Sequence, residues 1–267
     1  MIIFKKFKFL KKIKKDIIII FNSIEENYWI IKNKYKIKEY HQNIKKRKAK
    51  GVVYTCITGN YEKLKMHKYF DENWDYICYT DNKKLLEQKI KYFWEIKELE
   101  YNKLDNIRNA RWHKINPYKF LKDYEKSLWI DGTIIIKDFT FFKYLKEKEI
   151  FISCIHPERN CVYEEAKTCL SLKKDDENLI LKQMQMIKKE NYPSNNGLYA
   201  TGIIYRKHND NKIEKLSIAW WYWIKKYSRR DQLSINYICW KLKIPLVFFT
   251  KKDLLGEKNK YIKIVHH

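Results

Sequence analysis

The stretch that decides the fold is KSLWIDGTIII, residues 126–136, in which an apolar run ends in an acid and a glycine. Similar runs rich in β-branched and aromatic residues are GVVYTCIT (51–58), DYICYT (75–80), EIFISCIH (149–156), GLYATGIIY (197–205) and IPLVFF (244–249). Stretches with helical character separate them, notably 106–124, 163–190 and 212–226. Strands that alternate with helices predict an α/β domain whose mostly parallel sheet is covered by helices on both faces.

Polar residues follow several of these predicted strands. In open α/β sheets, ligands bind outside the carboxyl ends of the strands. This rule places the groups that begin at Thr58, Thr80, Asp131 and His156 on one rim. An acid at the position of Asp131 can ligate a divalent cation at a pyrophosphate or hold a ribose or sugar hydroxyl, whereas an Asp-Gly pair is also a common turn. Both interpretations stay open.

Arginine is rare in this chain. Seven of the 57 basic residues are arginines, and six of the seven lie in four short polar motifs. Lysine cannot hold a carboxylate or a phosphate in two-point geometry, so a planar fork is expected to matter where arginine persists. Arg108, Arg111 and Lys114 are spaced by three and therefore share one helical face. This face predicts contact with a phosphorylated ligand, and a solvated face is the alternative.

Two further polar motifs are candidates for binding sites. His156 and Arg159 follow a predicted strand, and Glu164 and Glu165 open the next helix, which makes a group suited to sugar hydroxyls. Neighbouring helical residues point to different faces, so one of the two glutamates is expected in a site. Acids at a helix N-terminus also stabilise the helix dipole without any function. The cluster Arg230-Asp231-Gln232 is only partly explained by capping from Ser228.

Composition limits the classes of protein that need to be considered. The chain has 267 residues, of which 45% are hydrophobic and 16% aromatic, enough for one large α/β domain or two small ones. Its net charge of +25 permits nucleic acid, an anionic membrane surface or a phosphorylated substrate as a partner. No nucleic-acid-binding motif is present, so nucleic acid is disfavoured. The six cysteines form no C-x-x-C pair, which predicts buried free thiols and a reducing cytoplasm.

The first 50 residues hold sixteen Lys and Arg against four Asp and Glu. Residues 1–22 place apolar residues at steps of three and four, which predicts a basic amphipathic helix on an anionic membrane surface, or an ordinary helix packed on its own domain. Residues 31–50 are expected to form a lysine-rich connector. The predicted domains are therefore 1–50 and 51–267. No secretory signal is evident, so we expect a cytoplasmic protein, with peripheral attachment to the inner face of the membrane as a further expectation.

Seven segments together resemble a glycosyltransferase-like family catalogued as domain of unknown function 616. They cover about residues 51–240, in order: YTCITGNYE, YTD (79–81), R-x-x-R-x-x-K (108–114), LWIDGTI, HPERNCVYEEA, GLYATGIIYR and SRRDQLS. The resemblance implies an enzyme of surface-polysaccharide biosynthesis, such as that of capsule or lipopolysaccharide.

The chain is also similar to glycosyltransferase family 8 and the wider GT-A fold. Asp131 matches the first Asp of the D-x-D motif of that fold, and Thr133 stands in the place of the second. Asp231, Gln232 and Asn236 match a DQ-x-x-x-N motif. The late Ile264-Val265-His266 is similar to a strand that carries a metal-binding histidine.

These resemblances imply a GT-A-type glycosyltransferase with a nucleotide-sugar donor, that is, a nucleoside diphosphate sugar, and a glycan or lipid-linked acceptor. The residues expected to bind the donor are Tyr54, Thr55, Asp81, Arg108, Arg111, Lys114, Asp131 and Gly132. The residues expected to bind the substrate are His156, Arg159, Glu164, Glu165 and Gly202. The expected catalytic residues are Arg230, Asp231 and Gln232, and the expected ligands of Mn²⁺ or Mg²⁺ are Asp131 and His266. Because Thr133 replaces an acid, a non-catalytic sugar-nucleotide-binding or scaffold protein of polysaccharide assembly is the alternative.

Overall fold

A seven-stranded sheet lies between two layers of helices and loops. The computed structural model describes residues 2–44, 48–146, 148–250 and 259–265, without the side chains of residues 2–15, 18 and 19. The strands are β1 Gly51–Ile57, β2 Trp74–Thr80, β3 Ile90–Lys91, β4 Trp94–Glu98, β5 Lys126–Ile130, β6 Ile134–Ile136, β7 Phe151–Ile155, β8 Tyr199–Arg206 and β9 Ile262–Ile264. The helices are α1 Ile2–Asn43, α2 Lys83–Gln88, α3 Asn106–Ile115, α4 Pro117–Phe120, α5 Val162–Ser171, α6 Glu177–Lys189, α7 Asn211–Lys226 and α8 Gln232–Lys241, with a 3-10 helix at Phe139–Tyr144.

The strand order of the large sheet is β3-β4-β2-β1-β5-β8-β7, and β6 pairs with β9 in a small second sheet. The pairs β1–β2, β1–β5 and β2–β4 are parallel, whereas β3, β8 and β7 join their neighbours in antiparallel fashion. Five of the seven strands therefore run in the same direction. The predicted α/β class, with a mostly parallel sheet flanked by helices and an N-terminal helix, is confirmed.

Alternating side chains of β1 explain how both faces of the sheet are covered. Val52, Tyr54 and Cys56 pack into one core cluster with residues of α5, α6, α7 and α8. Val53 and Ile57 point the other way, into a second cluster with residues of α1, β6 and the 3-10 helix. Since all seven residues of β1 are buried, this central strand reads in the sequence as a continuous apolar run.

Two of the predicted helices are broken. The stretch 106–124 divides into α3 and α4 at Asn116, because Pro117 has no backbone N–H and starts a new helix. The stretch 163–190 divides after Ser171, where Lys173 adopts a positive φ of 49° and the Asp176 side chain caps α6. The predicted helix at 212–226 is confirmed by α7.

Two other expectations were wrong. Residues 244–249 form no strand, and only Phe248 makes an isolated bridge, to Ser153, because Pro245 cannot donate and the backbone of Val247 bonds the Tyr199 hydroxyl. The predicted connector at 31–50 is helical as far as Asn43, and Tyr40 of α1 is buried against Phe70 and Tyr76. The division into domains at residue 50 stays a prediction.

Candidate functional site

Three elements bring charged side chains together at one end of the sheet. Helix α3, capped by the Asp105 carboxylate, carries Arg111 and Lys114. Asp131 directly follows β5, and its backbone N–H donates to Gly202 of the neighbouring strand β8. Asp231 directly precedes α8. The carboxyl end of a parallel strand, a helix and a helix start thus converge, as expected for ligand sites in such sheets.

A lysine joins the two acids of this site. Lys114 Nζ lies 2.6 Å from Asp231 Oδ2 and 3.3 Å from Asp131 Oδ1. Thr201 of β8 donates its hydroxyl to Asp231 Oδ2 at 2.9 Å, and Arg111 Nε lies 3.5 Å from the same oxygen. The side chains of Lys114 and Asp231 are 1% and 3% exposed. We refer to Arg111, Lys114, Asp131, Thr201 and Asp231 as the Lys114 cluster.

The charges of the cluster determine which of its side chains are ionised at neutral pH. Burial by itself would raise the pKa of the Asp231 carboxyl, but the cations Arg111, Lys114 and Arg230 outweigh burial and hold that pKa below its usual range. Burial likewise opposes the charge of Arg111, yet the carboxylates of Asp231, Asp131 and Glu62 raise the pKa of its guanidinium. Asp231 is therefore an anion at neutral pH and Arg111 a cation.

Two cavities meet at the Lys114 cluster. The larger, of about 640 Å³, extends from the loop after β1 and the start of α3 to the Asp131 turn, and the smaller, of about 220 Å³, lies between β8 and the start of α8. The residues that line both cavities are Arg111, Asp131, Thr133 and Arg230. A ligand of two parts could therefore occupy both cavities across the Asp131 turn.

Three arginines beside the larger cavity have hydrogen-bonding capacity to spare. The Nε atoms of Arg111, Arg229 and Arg230 are buried and make no hydrogen bond within the described part of the chain, although Arg111 Nε forms an ion pair with Asp231 at 3.5 Å and Arg229 Nε one with Asp175 at 3.1 Å. Buried donors without a hydrogen bond are rare in folded proteins, and a ligand that accepts from them is one explanation. Arg206 also has unsatisfied nitrogens, but it lies in the core and lines neither cavity.

Several predicted donor-binding residues lie away from the cavities. Tyr54 is fully buried and donates to the Lys114 carbonyl, and Thr55 is buried as well. Arg108 binds Asp105 and the carbonyls of Ile224 and Tyr227, so it ties α3 to α7. None of these three residues lines either cavity, so the structure does not bring them together with Arg111 and Asp131, and their role in donor binding stays a prediction.

Asp81 acts on the cavity through the backbone. Both of its carboxylate oxygens accept from Gly59 N, at 2.9 and 3.0 Å, which fixes the loop after β1. Gly59 has a positive φ of 62°, and a Cβ there would collide with the Asn106 side chain. Asp81 therefore shapes the wall of the larger cavity without lining it.

The predicted substrate residues around His156 form a separate ion cluster. Arg159 Nε lies 2.6 Å from the buried Glu165 Oε2, its Nη1 lies 2.8 Å from Glu158, and His156 Nε2 lies 3.5 Å from Glu165. We refer to His156, Glu158, Arg159 and Glu165 as the Arg159 cluster, and it lines neither cavity. Glu164 is exposed, pairs with Lys167 and lines neither cavity, and its assignment to a substrate site stays a prediction.

The other predicted residues line the smaller cavity, the larger one, or both. Gly132 borders the larger, Gly202, Asp231 and Gln232 border the smaller, and Arg230 borders both. Sequence reasoning missed Glu62, Lys174 and Thr201, all of which line one of the cavities. Glu62 lies in the quoted segment YTCITGNYE, but the sequence does not show that this loop residue lies near Arg111 in the folded protein.

Of the two predicted metal ligands, Asp131 alone belongs to the described residues. Lys114 and Trp129 both donate to Asp131 Oδ1, at 3.3 and 2.6 Å, so an ammonium and an indole already occupy that oxygen. No group of three His, Cys, Asp or Glu side chains in the described part of the chain could hold a metal ion. His266, the other predicted ligand, lies outside the described residues.

Comparison with known proteins assigns the family. The model of the TOD1/MUCI70 glycosyltransferase-like domain matches residues 30–267. The chain belongs to this family. Membership supports a role in glycosyl transfer, and the match includes the last third of α1 together with every residue of both cavities.

Solved structures give weaker likenesses. The apo structure of the bifunctional glycosyltransferase WbbM is 10% identical with a TM-score of 0.44, over 76% of this chain and 39% of that chain. The galactosyltransferase LgtC in complex with donor and acceptor sugar analogues is 12% identical with a TM-score of 0.41, over 74% of this chain and 72% of that chain. No curated protein matches the chain significantly. Among the described residues, no helix has both the length and the apolar character to cross a bilayer.

Proposed function

We propose that this chain transfers a sugar from a nucleoside diphosphate sugar to a hydroxyl group of a glycan or lipid-linked acceptor. The observation that carries the proposal is the group of three arginines, Arg111, Arg229 and Arg230, whose buried Nε atoms make no hydrogen bond beside the larger cavity within the described residues. A diphosphate offers both the charge and the acceptor oxygens that these guanidinium groups need.

The larger cavity suits the donor in size and charge. Its volume of about 640 Å³ falls within the range of small-molecule sites, about 300–1,000 Å³. Lys174 adds a fourth basic side chain to its lining. We assign the diphosphate to the arginines and the nucleoside to the end of the cavity between the loop after β1 and the start of α3.

The positive groups would stabilise the leaving group. As the bond between the sugar and the diphosphate breaks, negative charge builds on the diphosphate oxygens. Arg111 and Lys114 are held in place beforehand by Asp231, so they stabilise that charge without reorganisation during the reaction. No step of this mechanism passes through a metal ion.

The smaller cavity would receive the transferred sugar and the acceptor hydroxyl. Asp231 and Gln232 line it, together with Asp131, whose Oδ2 accepts from none of the described residues. Since the pKa of Asp231 lies below its usual range, this carboxylate is a weak base. It would accept hydrogen bonds from hydroxyl groups and orient them.

Calorimetric titration with nucleoside diphosphates tests the donor site. Arg111→Gln should weaken binding at least about tenfold, which corresponds to about 1.4 kcal/mol, because a charged hydrogen bond to phosphate is lost. Arg108→Gln is the matched control, since it removes an arginine one turn away that lines neither cavity. Equal affinities for wild type and Arg111→Gln would refute the proposed diphosphate position.

Transfer assays separate the two functional classes. With donor and acceptor panels, the wild type should release nucleoside diphosphate and extend an acceptor, and Lys114→Met should be slower by about 10²–10³-fold. A wild-type chain that binds nucleotide sugars but transfers to no acceptor would instead be the sugar-nucleotide-binding or scaffold protein.

A further inference from the structure

Helix α1 has one face on the protein body. It contains 42 residues and is therefore about 63 Å long at about 1.5 Å per residue. Glu25 pairs with Lys68 and, at 2.8 Å, with Lys263 of β9, and Glu26 accepts from the Tyr92 hydroxyl at 3.1 Å. Further along, Tyr40 is buried in the core. These contacts fix the side of the helix that faces the sheet.

The opposite side of α1 carries a continuous apolar stripe. Its members are between 48% and 85% exposed, and they are Ile17, Phe21, Ile24, Tyr28, Ile31 and Tyr35. At about 100° per residue they lie on the side of the helix away from Glu26, Trp29, Asn33 and Tyr40. We refer to these six residues as the α1 stripe. A row of large apolar side chains of this length marks an interaction surface.

The spacing of the α1 stripe is that of a coiled coil. Successive members are four, three, four, three and four residues apart, a strict seven-residue repeat. The same frame continues backwards in the sequence through Leu10, Phe7 and Ile3, with Lys14 as a polar member, and it meets a second lysine, Lys38, after Tyr35. Apolar residues at this spacing over several heptads are typical of helices that pack side by side.

The seven-residue repeat also indicates that the α1 stripe binds another helix and not a membrane surface. A 3.5-residue repeat drifts by about 20° per heptad around a straight helix, so the stripe winds as a partner helix would and does not face one plane. Charge agrees with this choice. Residues 16–43, which hold the α1 stripe, contain four Lys and four Asp or Glu, so the stripe itself carries no net charge to attract anionic lipids, and the seven other lysines of α1 lie before it, at residues 5–15.

We propose that two copies of this chain pair through the α1 stripe as a parallel two-stranded coiled coil. In such a pair, Lys34 of one copy faces Glu39 of the other, because a g position meets the e position five residues further along the partner. This oppositely charged contact occurs twice by symmetry.

The mass of the full chain in solution tests the pairing. Sedimentation equilibrium should give about twice the chain mass of 33.0 kDa. The variant Ile24→Glu/Ile31→Glu should raise the dissociation constant at least about 100-fold, because four buried isoleucines per pair are lost. Ile218→Glu is the control, since it places the same charge at an exposed position of α7, and it should stay paired. A monomeric wild type, or a double variant that pairs as wild type does, overturns the proposal.

A disulfide tests the parallel arrangement without depending on charge. Ile24→Cys should form a symmetric disulfide between copies under mild oxidation, whereas the six native cysteines are buried and should not react. Absence of this cross-link in a sample of dimer mass would refute the parallel seam. A wild-type chain that is monomeric and binds vesicles of anionic lipid through Ile24 and Ile31 would show that the stripe belongs to a membrane. Unchanged far-UV circular dichroism of each variant confirms that it is folded.

Discussion

The Lys114 cluster and the Arg159 cluster have similar components and different surroundings. Each contains an acid that is at most 5% exposed, Asp231 or Glu165, with basic partners on both sides. In the Arg159 cluster the guanidinium binds Glu165, Glu158 and His156, so its fork is used within the cluster. In the Lys114 cluster the hydrogen bonds to the acids come from lysine, threonine and tryptophan. Arg111 forms only an ion pair with Asp231, at 3.5 Å, and its buried Nε makes no hydrogen bond to the described residues.

The difference shows why a dense polar motif alone does not identify a ligand site. A saturated ion cluster orders the chain around it, because each charge already has its partners. A cluster that presents charge to a cavity, with donors left over, can bind a further group. By this criterion we expect the Arg159 cluster to anchor the start of α5, and we propose the Lys114 cluster as the ligand site.

The largest expected effect comes from replacing the buried carboxylate of each cluster by the corresponding amide. Asp231→Asn should lower kcat/KM for transfer about 10²–10³-fold, since it removes the charge that holds Lys114 and Arg111 in place. Glu165→Gln is the matched change in the Arg159 cluster and should alter kcat/KM less than about threefold, with a lower melting temperature. Steady-state kinetics and thermal unfolding of both variants measure this. The reverse order of effects would contradict the comparison.

Acid stability should depend on histidines outside both clusters. Burial lowers the pKa of His67 to about 3 and, as the largest cause, those of His113 and His208 to about 4. The unfolded chain therefore binds more protons than the folded one below pH 6.5, and stability falls as the pH drops from about 6.5 towards 4. Each histidine should contribute a slope of up to about 1.4 kcal/mol per pH unit, measurable by urea unfolding.

Urea unfolding at different pH values also tests whether Asp231 is ionised in the folded protein. Because its folded pKa is lowered, its stabilising contribution is present above the ordinary Asp pKa of about 3.9 and is lost only below it. The free-energy difference between wild type and Asp231→Asn should therefore stay constant from pH 7.5 to about 5. A difference that already disappears at pH 6 would show that Asp231 is not held as an anion.

Adding a methyl group at Gly202 tests how sensitive transfer is to the position of Asp131 in the Lys114 cluster. A Cβ added at Gly202 would lie 3.0 Å from Ile134 Cδ1 and 3.5 Å from Asp131 Oδ2. Gly202→Ala should therefore lower kcat/KM by about tenfold, because a small displacement of Asp131 is costly at a reacting centre. Its melting temperature should change little, since Gly202 is only partly buried. Unchanged kinetics would place the reacting groups away from Asp131.

The smallest effect is expected at the outer edge of the Arg159 cluster. The Glu158 side chain is 69% exposed, and exposed ion pairs contribute about 0–1 kcal/mol. Glu158→Gln should change the free energy of unfolding by less than about 0.5 kcal/mol and leave transfer unchanged. A loss of transfer would mean that the Arg159 cluster contacts substrate after all.

The sequence predicted the features that depend on local pattern. Apolar runs located β1, β2, β5, β7 and β8, and the rule for strand ends singled out Asp131, which lines both cavities. The spacing of Arg108, Arg111 and Lys114 identified α3 as a basic helix. It did not show that Arg108 turns towards α7, because that depends on how two helices pack far apart in sequence.

The features that were missed depend on contacts between distant segments. Pairing of Lys114 with Asp231 joins positions 117 residues apart, and Thr201 enters from a third element. The residue types of the Arg159 cluster suit sugar hydroxyls, and its role in substrate binding stays a prediction; the sequence could not show that the guanidinium of Arg159 is already bound by its neighbours. The heptad of the α1 stripe was visible in the sequence, but its exposure required the structure.

The most direct test of the central claim is a crystal structure of the chain with a nucleoside diphosphate bound. We expect diphosphate oxygens in the larger cavity, within hydrogen-bonding distance of about 3.2 Å from the guanidinium of Arg111. A diphosphate bound at the Arg159 cluster, or anywhere outside the two cavities that meet at Asp131, would contradict the account.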